Sequence, residues 1–89
     1  HFGPPQWSHL GMFIQTLMLL AAERGLATCP QEAWAIVHKT VGEALNLPPE
    51  RMLTCGIALG HPDEAHPINQ WRTEREPLDI FATFAGFQE

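Results

Sequence analysis

Six consecutive residues, His61-Pro62-Asp63-Glu64-Ala65-His66, put two imidazoles and two carboxylates in one short stretch. Hard and borderline metals accept such ligands. The spacing matches no zinc pattern, however, and a solvated acidic loop accounts for these residues equally well, so no metal site is expected. Cys29 and Cys55 lie 26 residues apart with no C-x-x-C pairing, and read as small buried hydrophobes rather than a redox pair. No Ser/His/Asp set follows from spacing, and no glycine-rich phosphate loop of the G-x-G-x-x-G or Walker type is present. What stands out instead is a proline-led segment, Pro30-Gln31-Glu32-Ala33, together with Arg72 and Arg75, two of only five basic side chains in the sequence.

Little chain is available to hold these groups. Eighty-nine residues, 45% apolar and 17% charged, make one folded domain at most and are too greasy for disorder. A net charge of −5 disfavours binding to phosphate backbones, so nucleic acid is not an expected partner. Two cysteines are too few for a secreted disulfide framework and fit a reducing compartment, the cytoplasm. The longest apolar run, Gly11 to Ala22, is interrupted by Gln15 and Thr16 and falls short of the roughly 18 to 20 residues that cross a bilayer. No membrane span is expected. His1 opens the chain with no initiator Met, basic n-region or small-residue cleavage site, so the start reads as a cut end without a signal peptide.

The pattern of apolar residues places the elements. Phe2-Gly3-Pro4-Pro5 is a breaker cluster that reads as loop. With Ser8 ahead of it, a helix is expected from about His9 to Arg24, since Leu10, Phe13, Ile14, Leu17 and Ala21 keep helical spacing and Gly25 can stop it. Met12, Leu19, Leu20 and Ala22 make the other side apolar too, the mark of a helix buried on every face. Thr28 with Gln31 has capping-box spacing, and Pro30 suits a first turn, so a second helix is expected from about Thr28 or Cys29. It carries Trp34, Val37, Val41, Ala44 and Leu45 on one face and ends at Pro48-Pro49. Met52 to Leu59 reads as a strand covered on both faces, with Gly56 marking a close backbone approach or a bend. A polar loop from His61 to Asn69 and a charged stretch lead to Pro77 and a short helix, Leu78 to about Phe84, anchored by Phe81, Phe84 and Phe87.

The expected class is therefore α+β in the order helix, helix, buried strand, short helix. A single buried strand needs neighbours for its N–H and C=O groups, and a helix greasy all round needs cover that so short a chain does not supply. Each large apolar side chain left in water forfeits roughly 1.5 to 3 kcal/mol. Both features point to a fold completed by a partner chain or a missing half, with Trp34 and Trp71 reading as packing residues.

Four phrases in order carry more information than any one of them: Glu23-Arg24-Gly25-Leu26-Ala27-Thr28-Cys29-Pro30-Gln31-Glu32-Ala33-Trp34, Leu45-Asn46-Leu47-Pro48, Gly56-Ile57-Ala58-Leu59-Gly60-His61-Pro62 and Arg72-Thr73-Glu74-Arg75-Glu76-Pro77-Leu78. From about Trp7 onward the chain resembles the C-terminal half of the nitroreductase family of flavin enzymes. Residues 1–89 would then be the C-terminal portion of a single nitroreductase-like domain.

The resemblance implies an FMN-dependent oxidoreductase in which two subunits interlock and each flavin lies at their interface. Such enzymes take hydride from NADH or NADPH and reduce a nitroaromatic, quinone or similar small aromatic acceptor in a ping-pong cycle, the flavin carrying the bond chemistry. It places Pro30, Gln31, Glu32 and Ala33 along the isoalloxazine edge, where a helix N-terminus offers unpaired donors to a ring gaining electron density. Many relatives have glycine where this chain has Ala33. It puts Arg75, and secondarily Arg72, on the FMN phosphate, and Trp7 and His9 in the substrate pocket above the ring. Relatives are about twice this length or more, and their N-terminal half carries a further arginine- and serine-containing phosphate motif that this sequence lacks. A second functional class thus stands beside the enzyme: a catalytically silent, self-associating α/β fragment.

Overall fold

The computed structural model describes residues 3–87. His1, where the sequence reads as cut, and Phe2, which opens the expected breaker cluster, lie outside the described residues. The elements run α1 (Pro4–Glu23), β1 (Ala27–Gln31), a 3-10 turn at Glu32–Ala35, α2 (His38–Ala44), β2 (Gly56–Gly60), a second 3-10 turn at Pro67–Gln70, and α3 (Leu78–Phe81). The class is α+β as expected, but the order is helix, strand, helix, strand, helix.

Helix α1 starts five residues before the expected position. Pro4 and Pro5 occupy its first turn, where a missing N–H costs nothing and φ is already helical, so these two residues of the expected loop are helix. Ser8 is not the cap: it lies inside the helix and its hydroxyl donates back to the Pro4 carbonyl at 3.4 Å, the alternative open to a mid-helix serine. The expected stop at Gly25 is present as a Schellman motif. Gly25 has φ 75°, Leu26 N–H donates to the Ala21 carbonyl at 2.9 Å and Gly25 N–H to the Ala22 carbonyl at 3.0 Å, which satisfies two carbonyls the helix leaves open. Helix α2 ends the same way with Asn46 at φ 55°. Leu47 N–H reaches the Gly42 carbonyl and Asn46 N–H the Glu43 carbonyl, so the helix stops before the prolines rather than at them.

The segment expected to begin the second helix is a strand. β1 pairs antiparallel with β2 in the register Ala27↔Gly60, Thr28↔Leu59, Cys29↔Ala58, Pro30↔Ile57 and Gln31↔Gly56. No side-chain cap forms at Gln31, so the capping-box reading of Thr28 and Gln31 is overturned. Long-range pairing supplies more backbone bonds than one local cap, and context overrides local preference in this way. The same pairing corrects the expected lone strand, because β2 finds a partner within its own chain. β2 is also shorter than the expected Met52–Leu59 segment: residues 51–55 have no regular structure. α3 is one turn long, ending at Phe81 rather than near Phe84, and Phe84 and Phe87 beyond it meet edge to face with ring centroids 6.3 Å apart.

Apolar cover is what the chain lacks. Among the described residues Ala21 is the one buried apolar side chain, while Met12, Phe13, Leu19 and Leu20 on α1 and Ile36, Leu59 and Phe81 elsewhere are exposed. The accessible surface is 8500 Å², against about 5,200 Å² for a self-contained monomer of this mass. The radius of gyration is 17.9 Å, against about 12 Å for a compact domain of this length. The helix and strand expected to be buried are therefore uncovered in the isolated chain, and the faces that call for cover are laid open. No helix is long and apolar enough to cross a membrane.

Two glycines give opposite predictions. Gly25→Ala forces a Cβ into the left-handed region and lowers stability by about 1 kcal/mol. Gly42→Ala, in helical backbone with open space where its Cβ would lie, raises it by about 0.5–1 kcal/mol. Urea midpoints of the two variants check both signs.

Candidate functional site

One face of α1 and the end of β1 form a groove. Trp7, Leu10, Gly11 and Ile14 fall at positions i, i+3, i+4 and i+7, a single helix face, and line one wall. Pro30, Glu32 and Ala35 line the other, with Thr54 and Cys55 at the approach to β2, enclosing about 480 Å³. The wall is mainly apolar, and α1 and β1 are in contact along it. Gly11 lets the helix wall lie low at the middle of the groove.

The end of β1 then turns. Gln31 is still extended at φ −130°, ψ 98°, and the chain enters the 3-10 turn at Glu32. The N–H groups of Glu32 and Ala33 stand in a first turn with no intrahelical acceptor. Pro30 has no N–H at all, so Pro30↔Ile57 is a non-hydrogen-bonded pair and the next pair, Gln31↔Gly56, takes the Gln31 N–H into the ladder. In the expected cofactor-edge segment the free donors are Glu32 and Ala33, and Pro30 contributes only surface. A strand end followed by one 3-10 turn also replaces the helix expected there. Any dipole contribution is small, and the individual N–H groups are what the segment has to offer. The Gln31 side chain is engaged locally: its Oε1 accepts a hydrogen bond from Trp34 Nε1 at 2.8 Å.

The structure thus brings Trp7 to Pro30 and Glu32, one member of the expected substrate pair beside two members of the expected cofactor edge. His9 is not among the groove residues; it lies about 200° around the helix from Trp7. Arg72 and Arg75 lie in an exposed, irregular stretch and do not line the groove. The Arg75 guanidinium folds back on its own segment, donating to the Glu74 carbonyl at 3.2 Å, the Thr73 carbonyl at 3.4 Å and the Thr73 hydroxyl. Sequence reasoning missed Thr54, Cys55 and Ala35, and it missed Arg51, which lines an adjoining groove with Gln6, Trp7 and Leu10. The apolar run places Thr54 and Cys55 in the strand interior, and nothing in the pattern marks residues 51–55 as the floor of a groove.

The loop from His61 onward ties itself together. His66 Nδ1 accepts from Ile68 N–H at 3.1 Å, Asp63 Oδ1 accepts from Ala65 N–H at 3.2 Å, and Gln70 Nε2 donates to the Glu64 carbonyl at 2.9 Å. These local bonds explain the polar composition, and among the described residues no three His, Cys, Asp or Glu side chains converge as metal ligands. Both cysteines are free thiols; Cys29 is exposed and Cys55 half-buried, which corrects the expectation that both are buried.

Comparison with known proteins gives the class. The profile described as "Nitroreductase family" matches residues 4–61, and the chain belongs to the nitroreductase family. It is 46% identical over 74 residues to a 4-nitrobenzoate reductase of Nocardioides sp. (strain LMS-CY), covering 83% of this chain and 30% of that protein. It is 41% identical over 81 residues to a 4-nitrobenzoate reductase of Pseudomonas putida, covering 91% and 36%. In structure it resembles the FMN and NADPH-dependent nitroreductase NfnB from Sphigopyxis sp. strain HMH, with a TM-score of 0.93 and 46% identity over 97% of this chain and 39% of that one. The chain therefore spans about a third of the length of the curated relatives it matches.

Proposed function

We propose that this chain forms one wall of an FMN site and contributes to an NAD(P)H-dependent reductase of nitroaromatics or related small aromatic acceptors such as quinones. The observation that carries this reading is the groove itself. A flat apolar face built on Trp7, Leu10 and Ile14 stands beside a strand end with free N–H donors at Glu32 and Ala33, a donor set suited to a flat, polar-edged ring. When bound, FMN supplies the hydride acceptance and electron transfer of the ping-pong cycle.

The roles of the residues follow from their chemistry. The Glu32 and Ala33 N–H groups would donate to the ring edge that becomes electron-rich, with Gln31 holding the strand end beside them and Pro30 packing against the ring plane. Trp7, with His9 beyond it, borders the place of the nicotinamide or the aromatic acceptor, and a wide apolar wall there excludes water. Arg75, seconded by Arg72, pairs with the phosphate. For that, its guanidinium exchanges hydrogen bonds to main-chain carbonyls for charge-assisted ones, which are stronger.

The site is complete only with cover. The surface excess of roughly 3,000 Å² over a compact monomer is on the scale of an obligate interface, and we assign it to a second copy, to the remaining part of the fold, or to both. Two free thiols fit a reducing compartment, the cytoplasm.

Titrating FMN into the purified protein while following flavin fluorescence tests the reading. Saturable quenching is expected, and its absence at excess FMN supports the catalytically silent, self-associating form instead. Arg75→Ala weakens FMN binding by about 1.5–3 kcal/mol, or about ten- to a hundredfold; unchanged affinity removes Arg75 from the site. Leu17→Asp puts an unpaired charge on the face of α1 that needs cover. Sedimentation should show lost self-association, and a folded variant with the wild-type assembly mass contradicts the interface.

A further inference from the structure

Trp34 closes a triangle with Gln31 and Gly56. Its indole N–H donates to Gln31 Oε1 at 2.8 Å. Its five-membered ring lies so close to the Gly56 backbone that a Cβ added there would sit 2.7 Å from Cδ1 and 3.1 Å from Nε1. Gly56 is the register partner of Gln31 in the sheet. The ring therefore bridges the end of β1 to the start of β2, and the turn to which it belongs carries the Glu32 and Ala33 N–H groups. Gly56 is required here for space and not for its backbone angle, since its φ is not among the positive ones. Trp34 is half exposed, so its burial alone does not account for the arrangement.

We infer that Trp34 is a positioning residue: held by Gln31 and seated on Gly56, it fixes the direction in which the Glu32 and Ala33 N–H groups point. The consequence for the cofactor rests on the flavin reading above; the consequence for the backbone does not. The indole clamp ties the 3-10 turn to the sheet beyond the chain connection itself, and a single turn of this kind has poor intrinsic hydrogen-bond geometry. Donors that wander lose the pre-organisation that makes them effective toward developing charge.

A double-mutant cycle on the intact protein tests this. Trp34→Phe keeps a ring over Gly56 and removes the donor, and Gln31→Leu removes the acceptor. Amide exchange at Ile36, whose N–H closes the turn on the Ala33 carbonyl at 3.1 Å, should rise by about fivefold in each, the loss of one ordinary hydrogen bond, and the double variant should be no worse than either single one. Gln31→Glu keeps an acceptor and should restore wild-type exchange. Gly56→Ala, which displaces the indole, should behave like Trp34→Phe. The affinity for FMN should fall by the same factor, and the midpoint potential of the bound flavin should move to a more negative value as donors to the reduced ring slacken. Additive effects in the cycle, or unchanged exchange in Trp34→Phe, overturn the positioning role. Wild-type protein that binds no FMN overturns the flavin reading and the cofactor half of the inference, while the exchange cycle still decides whether Trp34 holds the turn.

Discussion

Burial of apolar surface is the dominant favourable term in folding, and this chain buries almost none of its own. Ala21 is the one buried apolar side chain among the described residues, and the other faces of α1 are open. Native domains are stable by only about 5–15 kcal/mol, so a segment with this many uncovered Leu, Met and Phe side chains depends on surfaces it does not carry. The hydrogen-bonded parts, two Schellman helix ends and a five-pair strand ladder, specify local shape without supplying that missing term. An isolated two-stranded sheet is itself marginal.

The candidate site follows from the same arrangement. The ladder brings Gln31 opposite Gly56, and the turn that follows places Glu32 and Ala35 across the groove from a helix face led by Trp7. Each wall comes from a different element, so the groove exists only because α1 docks along β1. The residues that would meet an anionic group, Arg72 and Arg75, sit on a stretch with no regular structure, where placement depends on whatever covers the chain. A site divided in this way is characteristic of interfaces between elements, where binding sites concentrate.

Much of this was legible in the sequence. The period of Leu10, Phe13, Ile14, Leu17 and Ala21 marks α1, Gly25 marks its end, and Gly56 marks the close approach that Trp34 makes. The excess of apolar surface is visible in Met12, Leu19 and Leu20 before any coordinate is known. β1 was hidden because Thr28, Pro30 and Gln31 spell a helix start to a local reader, and only pairing with β2, some thirty residues away in sequence, shows otherwise. The early start of α1 was hidden by Pro4 and Pro5, which break a helix interior but open a first turn. The floor of the groove at Thr54 and Cys55 was hidden because an apolar run without periodicity does not tell strand from extended coil.

Small-angle scattering on the purified chain, with mass determined from the forward intensity, probes the dependence on outside cover most directly. The account predicts a particle of at least twice the 10.0 kDa chain mass, or a single chain as expanded as the 17.9 Å radius of gyration of the isolated fold. A lone 10.0 kDa particle with a radius of gyration of about 12 Å, the value for a compact domain of this length, would contradict it.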